Sequence, residues 1–143
     1  MTTRAEIETL LRNLYAARVR SDLDAICRAF TPDARFELAS SPLAGPPPLL
    51  ATGVAQFRPA IAGLIKTFDF KDHAIVTMVV EGEQAAVRWR STIRSSITGE
   101  TVTTEVVDII HFANGRIAAM TEFCDTALAA RLMGQAPAAQ PGT

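Results

Sequence analysis

The chain has 143 residues and a mass of 15.4 kDa, with 48% hydrophobic and 20% charged residues and a net charge of −1. That length favours one domain, large enough to bury a core without a disulfide or metal staple. The apolar content excludes a disordered chain, and 14 Lys and Arg against 15 Asp and Glu, with no basic cluster, argue against nucleic acid.

No stretch approaches the roughly 20 apolar residues of a membrane span. Met1 to Glu6 lacks the apolar run of a signal peptide, so a cytoplasmic protein is expected. Cys27 and Cys124 lie far apart and read as free thiols. His73 and His111 are the only histidines, and neither Cys-x-x-Cys nor His-Glu-x-x-His spacing occurs. No metal site or cofactor is expected from that inventory.

Thr3-Arg4-Ala5-Glu6 has capping-box spacing, and Ile7, Leu10, Leu11, Leu14 and Tyr15 then form the stripe of an amphipathic helix. Ser21, Asp22 and Asp24 open a second helix that buries Leu23, Ile26, Cys27 and Phe30 and ends at Thr31-Pro32-Asp33. Ala34 to Leu38 reads as one short strand. The segment Ser40 to Pro48 is a loop by composition, since its prolines remove donors and restrict their predecessors. A third helix covers about Ala55 to Phe68, with its start placed late so that Pro59 falls in the first turn.

From Asp69 the period changes from helical to alternating. Strands are expected at Phe70–Val80, Gln84–Ile97, Thr101–Phe112 and Gly115–Cys124. Glu81-Gly82-Glu83, Thr98-Gly99-Glu100 and Asn114-Gly115 supply the turns. Asp125-Thr126 caps a last short helix closed by Gly134, which gives a domain over residues 1–134 and a Pro/Ala/Gln-rich tail at 135–143. Helices followed by a meander make an α+β fold rather than a parallel sheet.

Four stretches carry a family resemblance: Ser21 to Ile26 running into Phe30 to Glu37; Ala86 to Arg90; Val107 to Phe112 before Asn114 to Ile117; and Thr121 to Leu128. Their order and spacing resemble the SnoaL-like and ketosteroid-isomerase-like members of the NTF2-like superfamily. The resemblance implies an NTF2-like cone-shaped barrel, with N-terminal helices packed on a strongly curved, mostly antiparallel sheet. It also implies a homodimer through the sheet's outer face and a pocket for a small hydrophobic or cyclic molecule. Function stays open at this point, because the fold hosts isomerases, cyclases, epoxide hydrolases, dehydratases and non-enzymatic binders.

Strand parity assigns the inward face. It groups Val106, Asp108, Ile110 and Phe112, then Met120, Glu122 and Cys124, then Val87, Trp89, Ser91 and Ile93. Asp108 sits in an apolar strand, where a carboxylate needs a partner or a proton. By resemblance it matches the aspartate that ketosteroid isomerases keep protonated to hydrogen-bond a dienolate oxygen; otherwise it is a structural carboxylate. Glu122 shares its face if the register holds, giving two carboxyls suited to acid/base work; a slip of one residue would put it on the surface. Tyr15 lies near the isomerases' oxyanion-hole tyrosine if a one-residue gap is allowed; without it Leu14 takes that place.

His73, beside Asp72, is a candidate general base or a strand-edge histidine. Trp89 either stacks on a flat ligand or packs in the core. Phe30, Ile61, Val106, Ile110 and Met120 are the remaining candidate pocket residues. Arg88, Arg90 and Arg94 face the other way. The resemblance also has gaps: the isomerases' proton-shuttling aspartate falls at Leu38, and other tyrosines of that site at Phe30 and Ile61. The strand acids and arginine of limonene-epoxide-hydrolase-like members are not matched at Trp89 and Ser91. The expectation is thus a cofactor-independent isomerase, cyclase or lyase, or else a non-catalytic binding or interaction module.

Overall fold

The computed structural model describes residues 1–40 and 49–135; the Pro-rich loop at 42–48 and nearly all of the tail at 135–143 lie outside them. Helix α1 spans Arg4–Val19 and starts where the capping spacing places it, with the Glu6 amide donating to Thr3 Oγ1 at 3.2 Å. Its buried stripe is Ile7, Leu11, Leu14, Tyr15 and Ala17. Helix α2, Leu23–Arg28, is capped by Asp22, whose carboxylate accepts from the Ala25 amide.

The chain enters β1, Phe30–Leu38, earlier than expected, so Thr31 to Asp33 belong to a strand rather than to a helix stop. Pro32 is tolerated because the register of β1 is irregular between Phe30 and Arg35, where ladder bonds are missing. A short strand β2, Leu49–Thr52, was not anticipated; it pairs antiparallel with the end of β1.

Helix α3 runs over Val54–Thr67 and begins at Gly53, whose φ of +78° suits glycine and leads the chain directly off β2. Pro59 therefore sits inside the helix, beyond the first turn where it was expected. It removes one internal hydrogen bond there, a defect the burial of Phe57 and Ile61 outweighs.

Strands β3 (Phe68–Glu81), β4 (Gln84–Ser95), β5 (Thr101–Ala113) and β6 (Arg116–Phe123) follow, and a last helix α4 covers Thr126–Leu132. Asn114 and Gly115 both take positive φ in the tight β5–β6 turn, as an Asn-Gly hairpin requires. The six strands form one sheet in the order β2-β1-β6-β5-β4-β3, antiparallel except for β1 against β6. It is the α+β architecture expected, with an open sheet rather than a closed barrel, since β2 and β3 remain as edges.

Alternation decides what each strand buries. Val87, Trp89, Ser91 and Ile93 of β4 face inward, while Arg88, Arg90 and Arg94 are exposed. The inward face meets α1 and α3, and Phe30, Phe36 and Phe57 pack there with centroids 4.3 and 5.8 Å apart across Phe57. No helix among the described residues is long and apolar enough to cross a membrane.

Candidate functional site

Register brings the two acids together. Asp108 and Glu122 are directly paired residues of the antiparallel β5–β6 ladder, so both side chains leave the sheet on the same face. Asp108 is only 1% exposed, and its Oδ2 accepts two hydrogen bonds, from Tyr15 Oη at 2.6 Å and from Trp89 Nε1 at 2.8 Å. Oδ1 has no hydrogen-bond partner among the described residues, and Glu122 is near enough to Asp108 to influence its carboxyl.

The protonation of this pair follows from its surroundings. Burial raises the Asp108 carboxyl above its ordinary range, opposed by hydrogen bonds from Glu122, Tyr15 and Trp89. Burial, then the charge and hydrogen bond of Asp108, push Glu122 well above a normal glutamate. An indole N–H can only donate, and Tyr15 donates alongside it, so Oδ2 carries no proton. Both carboxyls are thus raised, Glu122 the more strongly, because the donors on Asp108 oppose the effect of its burial. The upward direction at Asp108 is the one the resemblance implies; Tyr15, Trp89 and Glu122 oppose it there, and the charge of Arg18 opposes it at Glu122.

Behind the pair lies an aromatic stack. Tyr15 and His73 are parallel at 4.9 Å, and His73 and Trp89 are also 4.9 Å apart. A β-bulge places His73: Lys71 pairs with Thr92 and Ala74 with Arg90, leaving Asp72 and His73 opposite Ser91 alone. Asp72 takes φ +51° there, and Ser91 Oγ donates to the Lys71 carbonyl at 2.7 Å. Burial lowers the His73 pKa, so the ring is neutral, and its Nε2 is buried without a partner among the described residues. Burial and the charge of Asp108 raise Tyr15 well above an ordinary phenol.

In front of the pair is a cavity of about 140 Å³. Trp89, Phe30, Ile61, Val106 and Met120 line it with Asp108, Glu122 and Tyr15. Two candidates are not part of its wall. Ile110 is fully buried one step further along β5, and the bulge turns His73 onto the rear of Tyr15. Leu38 lines the cavity where the resemblance places a proton-shuttling aspartate. Cys124 lines it as well, its thiol raised to about 11 by burial and by Glu122, so it is protonated and unreactive.

One functional group escaped the sequence reading. Arg18 follows Leu14 and Tyr15 by four and three positions, so it continues the apolar stripe of α1 into the cavity wall. A charge on that stripe was the available signal. Its Nη2 donates to the carbonyls of Leu64 and Phe68 at 3.2 and 2.7 Å, and its guanidinium lies 3.8 Å over the Phe70 ring. Burial lowers its pKa to about 10, which leaves it charged at neutral pH. No cluster of three or more His, Cys, Asp or Glu among the described residues is arranged to hold a metal.

The SnoaL-like domain family matches residues 11–120, which contain both aromatic donors and Asp108. The chain is a SnoaL-like protein. Solved structures agree on the fold of this SnoaL-like chain. A protein provisionally called an isomerase, from Bacillus subtilis, superimposes with a TM-score of 0.81 at 16% identity, over 92% of this chain and 95% of that one. An NTF2-like protein from Burkholderia xenovorans gives 0.72 at 20% identity, over 93% and 99%. A protein with a ketosteroid-isomerase-like fold from Catenulispora acidiphila, in complex with trimethylamine, gives 0.75 at 10% identity, over 92% and 97%. No curated protein matches the sequence.

Proposed function

We propose that this SnoaL-like protein is a cofactor-independent isomerase, cyclase or lyase that moves a proton on a small hydrophobic or cyclic substrate. One observation carries the reading: two directly paired carboxyls, both raised by burial, sit in the wall of an apolar cavity. Glu122 is the half-buried member and borders the cavity, whereas Asp108 lies behind it, held by Tyr15 and Trp89. As a base, Glu122 takes a proton from substrate carbon on one oxygen while its other oxygen passes its own proton to Asp108 Oδ1. As an acid the same two transfers run backwards. Base action neutralises the pair and leaves the negative charge on the substrate, and the return of the proton restores it, which suits proton removal at one carbon and return at another.

In this scheme Tyr15 and Trp89 are positioning residues, because Asp108 takes their donors. His73 stacks behind them and buttresses the tyrosine ring. A steroid-isomerase mechanism with an aspartate at position 38 is unavailable here, since leucine transfers no proton. The exposed apolar residues Val76, Val79 and Ile109 on the outer sheet face support a homodimer through that face.

A non-catalytic binding role draws on Leu38 and the largely aliphatic and aromatic wall. Deuterium exchange separates the two. In D2O, proton NMR of a small cyclic ketone such as cyclohex-2-enone should show label entering next to the carbonyl faster than in buffer, and Glu122→Gln should abolish the gain. Exchange at the buffer rate, together with a Glu122 carboxyl that titrates near the ordinary value of about 4.3, supports the binding role instead.

A further inference from the structure

Arg18 presents a buried cation whose bonding is half complete. Nη2 holds the last carbonyls around the end of α3, a structural task. Nη1 is buried and has no hydrogen-bond partner among the described residues. Arg18 makes none of the ion pairs found among those residues, although the charges of Glu122 and Asp69 act on it from a longer distance. A buried donor left unpaired is destabilising, the more so when charged, so such groups ordinarily find an acceptor. Arg18 is the one Lys or Arg among the described residues lining the cavity. The neighbouring donors cannot serve a ligand, because Tyr15 Oη and Trp89 Nε1 are committed to Asp108.

We infer that Arg18 is the polar anchor of the cavity, and that its Nη1 receives a ligand oxygen that carries or gains negative charge. The ligand class is then a ring-sized apolar molecule bearing a carboxylate or an enolisable carbonyl. Size agrees: about 140 Å³ is close to the ~150 Å³ apolar cavity that accepts benzene in an engineered protein. The inference deepens the acid/base reading and rests on it for its chemistry. If Glu122 removes a proton beside a carbonyl, the oxygen of the resulting enolate needs a cation or donor, and Arg18 supplies both. A guanidinium over the Phe70 face is also fixed in orientation, which limits the reorganisation needed as charge develops.

The test uses benzoate and benzyl alcohol as probes, which share a ring and differ in the anionic oxygen. Calorimetric titration of the wild-type chain at pH 7 should show benzoate binding at least about tenfold tighter, by analogy with charge-assisted hydrogen bonds. Arg18→Met should remove that preference while benzyl alcohol still binds within about threefold. Equal binding of the two probes to the wild type, or a preference that survives in Arg18→Met, overturns the inference. Should Arg18→Met fail to fold for want of the Leu64 and Phe68 contacts, the wild type decides. Its Arg18 guanidinium nitrogen signals must move with benzoate and not with benzyl alcohol; unmoved signals refute the anchor.

Because these readouts are of binding, the two claims fail separately. Deuterium exchange that depends on Glu122 without a benzoate preference leaves the acid/base reading and removes the anchor. A benzoate preference without exchange does the reverse.

Discussion

The same three strands carry oppositely charged or acidic pairs on both faces, and the faces treat them differently. On the outside, Arg88 of β4 makes a bidentate pair with Glu105 of β5 at 2.7–3.2 Å, in contact with water. On the inside, Asp108 of β5 and Glu122 of β6 lie side by side with no cation between them. Water screens the outer pair, so its geometry, though good, adds little. Inside, burial raises both acids: Tyr15 and Trp89 point at Asp108 and hold its rise down, while Glu122, helped only by the charge of Arg18, rises further. Ordinary cross-strand pairing thus yields a surface decoration on one face and a proton-holding device on the other.

Removing the centre of the inner pair should break this contrast most forcefully. Asp108→Ala leaves Tyr15 Oη and Trp89 Nε1 buried without an acceptor, and a loss of roughly 3–5 kcal/mol in urea unfolding is expected. A loss below about 1 kcal/mol would mean that those donors find water and that the site is open. Tyr15→Phe deletes one donor to a charged acceptor and should lower stability by roughly 1.5–3 kcal/mol. It should also raise the Asp108 pKa further, which carboxyl carbon NMR can follow.

The pH dependence sharpens the comparison. Glu122 is raised in the folded chain relative to an unfolded value of about 4.3, so the folded state binds its proton more tightly. That contribution to stability is complete below the unfolded value and is lost as pH rises through the folded one. Asp108, also raised, acts in the same sense. His73, lowered by burial, acts oppositely and loses its contribution as pH falls. Comparing wild type with Glu122→Gln cancels the histidine. The melting temperature of the wild type, measured against that variant, should fall as pH climbs above about 4.3; a parallel pair of curves would show that Glu122 titrates normally.

The smallest effect belongs to the outer face. Arg88→Ala should leave the unfolding midpoint unchanged within error at physiological salt, because both partners stay hydrated. A clear loss there would place that face in a buried contact instead, as a homodimer through the sheet requires.

Much of this molecule was legible in order along the chain. Caps at Thr3, Asp22 and Asp125, the Asn114-Gly115 turn and the alternation of β4 to β6 are local properties, and each reads directly from residue type and spacing. Strand parity even put Asp108, Glu122 and Trp89 on one face. Less local features were not legible. The start of β1 depends on pairing with a strand more than 80 positions away, and β2 on its antiparallel pairing with β1. The helical position of Pro59 reflects burial of Phe57, which no propensity contains.

The site divides along the same line. Sequence alone determined which residues of each strand share a face, because alternation is a property of a single strand; that Asp108, Glu122 and Trp89 share one face also needed the register between strands. Only the tertiary structure decided that Glu122 is raised more than Asp108, that His73 stacks on Tyr15 next to a bulge, and that Arg18 reaches the cavity from a helix. Those outcomes depend on which donors come within 3 Å of which oxygen and on how much water is excluded. Both are set by packing between segments far apart in the chain, and no spacing along it encodes them.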